Sequence, residues 1–218
     1  MSVATGRVAA VCVGAARQQR YADGREERTA IDKRPATGPV AVGTLGLTGD
    51  TQVDRRHHGG VDRAVYAYAQ ADADHWASTL DRAVPPGLLG ENLRTVDVDV
   101  SAARIGERWV TGRGVVLEVT APRMPCRTLQ GFLDVPDIIA RFTAAGRPGA
   151  YLRVVVPGEL AADDVVHVER PDDTAPSVAD VMAWRSGAAT DDALRRLADL
   201  PALATDLRRW AATARERA

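Results

Sequence analysis

The chain has 218 residues, 45% of them hydrophobic and 26% charged. That length can bury a core without disulfide staples, and the composition excludes wholesale disorder. The 28 basic and 29 acidic residues nearly cancel, which argues against a dedicated partner for nucleic-acid polymers or membrane surfaces.

Gly6–Gly14 alternates weakly and predicts a buried strand. Its apolar run is far below the roughly 20 residues that span a bilayer. No charged region precedes it, so neither a signal peptide nor a membrane anchor is expected. Val40–Leu47 is apolar and broken by Gly43 and Gly46. Ala64–Ala69 carries β-branched and aromatic residues and predicts a strand, followed by a helix over Gln70–Leu80. Arg108–Gly112 and Val115–Thr120 predict a hairpin whose turn exceeds two residues. A helix over Asp137–Ala145 begins after Pro136 and stops at Gly146. Ala150–Val156 and Asp164–Glu169 predict two more strands, with a turn over Pro157–Gly158–Glu159. Many short strands and few helices predict a mainly β fold, a barrel or folded antiparallel sheet.

The pattern changes after Arg170. Residues 171–176 are polar and proline-bracketed and read as a linker, dividing a domain over 1–170 from an extension over 171–218. Ser177-Val-Ala-Asp180 reads as a capping box. Thr190 can cap a second helix running to about Asp199. Leu203, Leu207, Trp210 and Ala214 then recur at helical spacing. Helices this short are marginal alone. They are expected to pack on each other or on a partner subunit, which leaves a homodimer open.

The two cysteines are Cys12 and Cys126, and neither belongs to a CxxC pair. A zinc or iron–sulfur site built from cysteine alone needs four. No GxGxxG fingerprint is present either. Any redox chemistry therefore requires a different cofactor or a partner protein, and the expected compartment is a reducing cytoplasm.

Three stretches could carry chemistry. Gly49–Asp62 holds two histidines, three aspartates, two arginines and three glycines within 14 residues. Such a loop can present backbone N–H groups and ionisable side chains together, or can be ordinary solvated surface. Asp54, His57 and His58 match no zinc spacing, and adjacent histidines on an extended chain point apart. In Gly87–Arg94, Asn92 can bind a ligand or satisfy a turn. In Pro122–Leu129, Cys126 follows Pro125 at a candidate helix start between Arg123 and Arg127. Those charges and the helix N-terminus favour thiolate, which is both a nucleophile and a soft metal ligand. Cys12, inside an apolar strand, reads as inert. Lys33, the only lysine in the chain, could join Arg123 and Arg147 in an anion pocket.

At these motifs the chain resembles the MOSC domain family, named for the C-terminal domain of molybdenum cofactor sulfurases, and most of all its stand-alone YiiM-type bacterial branch. The matching segments are GLTGDTQVDRRHHGGVDRAVYAY (46–68), GLLGENL (87–93), EVTAPRMPCRTL (118–129) and GRPGAYLRVVVPG (146–158). Their order and approximate spacing match as well. The resemblance implies a β-barrel with peripheral helices over roughly 5–170, and its tail resembles that branch's three-helix extension. It implies a pterin-based molybdenum cofactor with Cys126 as metal ligand and catalytic residue. The positions taken to hold the pterin and its phosphate fall on Lys33, His58, Asp62, Asn92, Arg123 and Arg147. The implied reaction, independent of pyridoxal phosphate, is reduction of N-hydroxylated compounds such as hydroxylaminopurines to amines. Electrons would come from a separate flavin or iron–sulfur protein. A sulfurtransferase carrying persulfide on Cys126, a non-catalytic cofactor carrier, and a barrel whose polar loops only pair among themselves are the alternatives.

Overall fold

The computed structural model describes residues 4–55, 57–170 and 174–216. Arg56 of the polar loop and residues 171–173 of the expected linker lie outside them. The first elements are β1 (Ala4–Val13), β2 (Arg17–Arg20), β3 (Glu26–Thr29), β4 (Arg34–Pro35), β5 (Val40–Gly43) and β6 (Gly46–Leu47). Then come β7 (Val65–Ala69), α1 (Gln70–Leu80), β8 (Leu93–Val96), β9 (Arg108–Thr111) and β10 (Val116–Pro122). They are followed by α2 (Arg127–Leu133), α3 (Ile138–Ala145), β11 (Ala150–Val156), β12 (Gly158–Leu160) and β13 (Val165–Glu169). The tail contributes α4 (Val178–Ala183), α5 (Asp191–Ala198) and α6 (Thr205–Arg215).

Seven strands form a closed barrel in the order β13–β9–β10–β11–β7–β8–β1, and β1 pairs with β13 to complete the ring. Closure removes the open edges that would otherwise invite pairing with another chain. Within the ring only β7 and β8 run parallel. A parallel pair needs a crossover, and α1 lies in the one between them. All five residues of β7 are buried, which is why its sequence reads as a continuous apolar and aromatic run rather than an alternating one. Val8, Leu93, Trp109, Leu117, Val119 and Leu152 are at most 2% exposed and belong to one continuous core.

The predicted strands and helices of the barrel form with small shifts at their ends. The hairpin turn between β9 and β10 closes through Thr111 N–H to the Val115 carbonyl at 2.9 Å. Gly146 stops α3 in a left-handed conformation at φ 63°. Val40–Leu47 divides, at the glycines that break it, into the two short strands β5 and β6. One expectation changes. The turn expected over Pro157–Gly158–Glu159 is largely strand, because Gly158–Leu160 pairs with Val40–Val42 in a small separate sheet. The polar ribbon β2–β3 is not predicted by the sequence, since RQQR and EERT carry no apolar alternation.

The tail helices start where their caps predict. Ser177 Oγ accepts from the Asp180 N–H at 3.1 Å, and the Asp180 carboxylate accepts from the Ser177 N–H at 2.9 Å. Thr190 Oγ1 accepts from the Ala193 N–H at 3.2 Å. The helices bury Leu194, Leu197, Leu207 and Ala211 in the same core as the barrel. Backbone bonds join the two parts: Val178 N–H to the Ala103 carbonyl and Ala204 N–H to the Thr120 carbonyl, both 2.9 Å. No described helix is long and apolar enough to cross a membrane.

Candidate functional site

A cleft of about 430 Å³ is lined by residues from five separate parts of the chain, among them Lys33, His58, Asn92, Arg123, Cys126 and Tyr151. Cys126 reaches it because of local chain geometry. β10 ends at Pro122, and Pro125 holds the preceding residue extended. Cys126 itself is extended at φ −136° and ψ 169° and occupies the N-cap of α2. The expected helix start is therefore where it was placed.

Around Cys126 the charges favour thiolate. Burial opposes ionisation, but the Arg123 charge and a hydrogen bond from His58 outweigh it, and the thiol pKa falls to about 6. Arg123 Nη2 lies 3.8 Å from Sγ. His58 Nδ1 lies 3.0 Å from the Tyr151 hydroxyl. Burial pushes that hydroxyl up to about 12 despite the opposing Arg123 charge. His58 also hydrogen-bonds the Cys126 sulfur.

Arg123 is only 4% exposed, and its guanidinium carbon sits 5.9 Å from the centre of the Tyr66 ring. Its Nη1 is buried and meets no hydrogen-bond partner among the described residues. An unsatisfied buried donor typically costs about 1–3 kcal/mol, more when charged. A ligand oxygen in the cleft would remove that cost.

The opposite wall is built differently. Lys33 is 8% exposed, and its ammonium bonds the Asp50 carboxylate. Asp50 also accepts from the Gly14 N–H at 2.9 Å and from Asn92 Nδ2 at 3.0 Å. Asn92 Oδ1 accepts from the Tyr66 N–H at 3.1 Å. Burial pulls the Lys33 pKa down, while Asp50 acts against it. Gly87, at φ 89°, lets its turn close directly on the Lys33 backbone, where a Cβ would collide with the carbonyl. Cys12 lies behind this wall. Burial, reinforced by Glu91, pushes its thiol up to about 12, in keeping with an inert role.

Five of the seven residues singled out in the sequence thus meet at one cleft: Lys33, His58, Asn92, Arg123 and Cys126. Asp62 and Arg147 are not among its lining residues. Asp62 accepts from the Thr205 N–H at 2.8 Å and pairs with Arg153 at 2.9 Å. It fastens the tail. Arg147 pairs with the buried Asp72 carboxylate at 2.5 Å, and this partner holds it away from the cleft. His57 turns to Asp54 at 3.0 Å while His58 turns to Tyr151, the divergence expected of adjacent residues. No group of three or more metal-ligating His, Cys, Asp or Glu occurs among the described residues. A metal in the cleft would rest on Cys126 and on ligands it brought with it.

Sequence reasoning missed Asp50, Arg63, Tyr66 and Tyr151, all of which line the cleft. All four lie within segments already singled out, but no signal in the chain says that they face the same space.

A model of the MOSC domain matches residues 54–167. The chain is 32% identical over 171 residues to the protein YiiM of Escherichia coli, covering 76% of this chain and 75% of that one. It is 33% identical over 166 residues to a protein named reductase in Gibberella moniliformis, covering 73% of this chain and 29% of that longer protein. The crystal structure of YiiM from Geobacillus stearothermophilus superposes with a TM-score of 0.80 at 24% identity, covering 96% of this chain and 99% of that one. At that identity the match establishes the fold. With the barrel, the cleft and these matches together, the chain belongs to the MOSC domain family, whose domain is associated with the molybdenum cofactor.

Proposed function

We propose that the cleft holds a molybdopterin-type cofactor with the Cys126 thiolate as ligand to molybdenum, and that the protein reduces N-hydroxylated compounds to amines. The observation that carries this reading is the pairing of Cys126, held as thiolate near neutral pH, with a buried Arg123 nitrogen that lacks a partner. A soft anionic sulfur suits the metal, and a guanidinium fork suits a phosphate or pterin oxygen. The donor set therefore fits the group. When bound, the cofactor would supply the two-electron exchange that converts N–OH and two protons into N–H and water.

The protein's own residues divide the remaining work. Arg123 balances the thiolate and orients the anionic part of the ligand. Lys33, with Asp50, fixes Asn92 and the facing wall. His58 is positioned by Tyr151 and is the group best placed to move a proton beside Cys126. Two described residues of the cleft mouth, Arg28 and Arg127, are exposed cations that would favour approach of an anionic ligand or an acidic partner surface. The electron donor is a separate flavin or iron–sulfur protein, because this chain has too few cysteines for a cluster and no dinucleotide fingerprint. The similarity to a protein named reductase supports the reaction class.

A persulfide carrier would use the same thiolate. Elemental analysis, intact mass and hydroxylaminopurine reduction separate the two readings when done on protein from a host that makes the cofactor. Bound molybdenum and amine formation, both lost in Cys126→Ser, are the expected results. An added sulfur on Cys126 without molybdenum would replace the reductase by the sulfurtransferase. Molybdenum without turnover, donor protein supplied, would leave a carrier.

A further inference from the structure

The last tail helix reaches into the cleft wall. Arg63 lines the cleft, and its side chain is only 10% exposed. One of its nitrogens, Nη2, bonds both oxygens of Asp206 in α6, at 2.7 and 2.8 Å. The guanidinium carbon lies 5.9 Å from the centre of the Tyr151 ring. Tyr151 in turn holds His58. The neighbouring residue completes a crossed pair of contacts: Asp62 on the barrel accepts the Thr205 N–H of the tail, while Asp206 on the tail takes Arg63 of the barrel. Arg153 adds a bond from the barrel to the Ala202 carbonyl at 3.1 Å.

We propose that Asp206 is a positioning residue of the cleft: it clamps Arg63 against Tyr151 so that this guanidinium presents its remaining donors to an anionic ligand, which makes the C-terminal extension a functional part of the site. The proposal rests on the reading of the cleft as an anion site but not on molybdenum. Two effects of Asp206 oppose each other. Its negative charge weakens the field of Arg63, and its grip removes the rotamer freedom of a long side chain. The Asp206 side chain is 50% exposed, so water screens its charge. Arginine carries a large rotamer entropy that a preset geometry spares on binding. The positional effect wins, and losing Asp206 weakens anion binding.

The test uses the full chain free of cofactor, with inorganic phosphate as the probe. Iodoacetamide labelling of Cys126 at pH 8 is followed against phosphate concentration, which gives the phosphate affinity of the cleft. Arg63→Met should weaken protection about tenfold, as loss of a charge-assisted contact does. Asp206→Ala should weaken it about fivefold, within the range shown by contacting pairs. Asp206→Glu should recover most of that loss. In the Arg63→Met background, Asp206→Ala should change protection by less than about twofold. An Asp206→Ala effect of equal size in both backgrounds would mean that the helix merely undocks, and would overturn the clamp. So would an unchanged affinity in Asp206→Ala alone, or a wild-type Cys126 that phosphate never protects. Failure of the proposed cofactor shows separately, as wild-type protein from a competent host that holds no molybdenum.

Discussion

The two walls of the cleft each place a cysteine near buried cations, yet they treat charge in opposite ways. On the Lys33 wall the buried charges are paired with one another. Lys33 meets Asp50, Arg94 meets Glu91, and both pairs are buried. Cys12 finds no spare cation there, and burial carries its thiol up to about 12. On the Arg123 wall no carboxylate of the described residues answers the guanidinium. Cys126 becomes its counter-charge, and the thiol falls to about 6. A pocket that looks cationic by residue type can be neutral by pairing, and the reactive side is the one where a cation has been left without an acid.

The largest expected effect breaks that contrast at its sulfur. Cys126→Ser should leave the fold in place, because the residue is partly exposed at a helix N-cap. It should abolish molybdenum content and hydroxylaminopurine reduction, by more than about a hundredfold in rate if the thiolate is the protein's metal ligand. Elemental analysis and circular dichroism check both halves. Full turnover in the serine variant would remove Cys126 from the chemistry.

Next in size is the loss of the internal pair. Lys33→Met leaves Asp50 buried and unanswered, with a side chain only 3% exposed. Breaking one side of a buried ion pair costs about 3–5 kcal/mol. Urea denaturation should show that loss with little change in slope. A cost under about 1 kcal/mol would mean that the pair is not buried in solution.

Removing the unpaired cation has a smaller and more specific effect. Arg123→Met removes the largest influence opposing burial of the sulfur and leaves only the weaker help of His58 and the Leu129 N–H, so the Cys126 thiol should rise by more than about one unit. The pH profile of iodoacetamide labelling reads this directly. In the wild type, labelling should be half-maximal near pH 6, and Cys12 should stay unlabelled at neutral pH. The stability sign follows. The folded value lies below that of a free thiol, so ionised Cys126 stabilises the fold fully above about pH 8.5. That contribution fades as pH falls through about 6. A labelling midpoint above pH 8 in the wild type would contradict the Arg123 wall as described.

Much of this was legible in the chain because the signals are local. The Gln70–Leu80 helix, the Gly146 stop and the Ser177 and Thr190 caps are written in neighbouring residues. So was the candidate helix start at Cys126, where a proline precedes and arginines flank. What could not be read is pairing across distance. Lys33 and Arg123 look alike in sequence, as cations beside a proline-containing loop. Only the fold brings Asp50 to one and withholds an acid from the other. Asp62 and Arg147 lie off the cleft lining for the same reason, since their partners Thr205 and Asp72 lie 143 and 75 residues away. Short polar strands such as β2 and β3 escaped because pairing, not propensity, makes them strands.

The smallest expected effect concerns the choice of lysine in a chain that otherwise uses arginine. The −1 net charge gave no reason for it. The Lys33 wall supplies one. Lys33 Cγ would lie 3.2 Å from a Cβ placed on Gly14, and Gly87 closes on the Lys33 backbone. The stem is therefore bracketed by two glycines before it reaches Asp50. A guanidinium is wider than an ammonium and needs a planar fork of acceptors. Asp50 has already committed oxygens to Gly14 and Asn92. Lys33→Arg keeps the charge, so electrostatics predicts no loss. Packing predicts strain of about 1–3 kcal/mol, a shift of a few degrees in Tm for a chain of this size. It also predicts a displaced Asn92, read as weaker cofactor retention at unchanged Cys126 labelling. Equal Tm and equal molybdenum content in the arginine variant would mean that charge alone is needed, and that the lone lysine is an accident of composition.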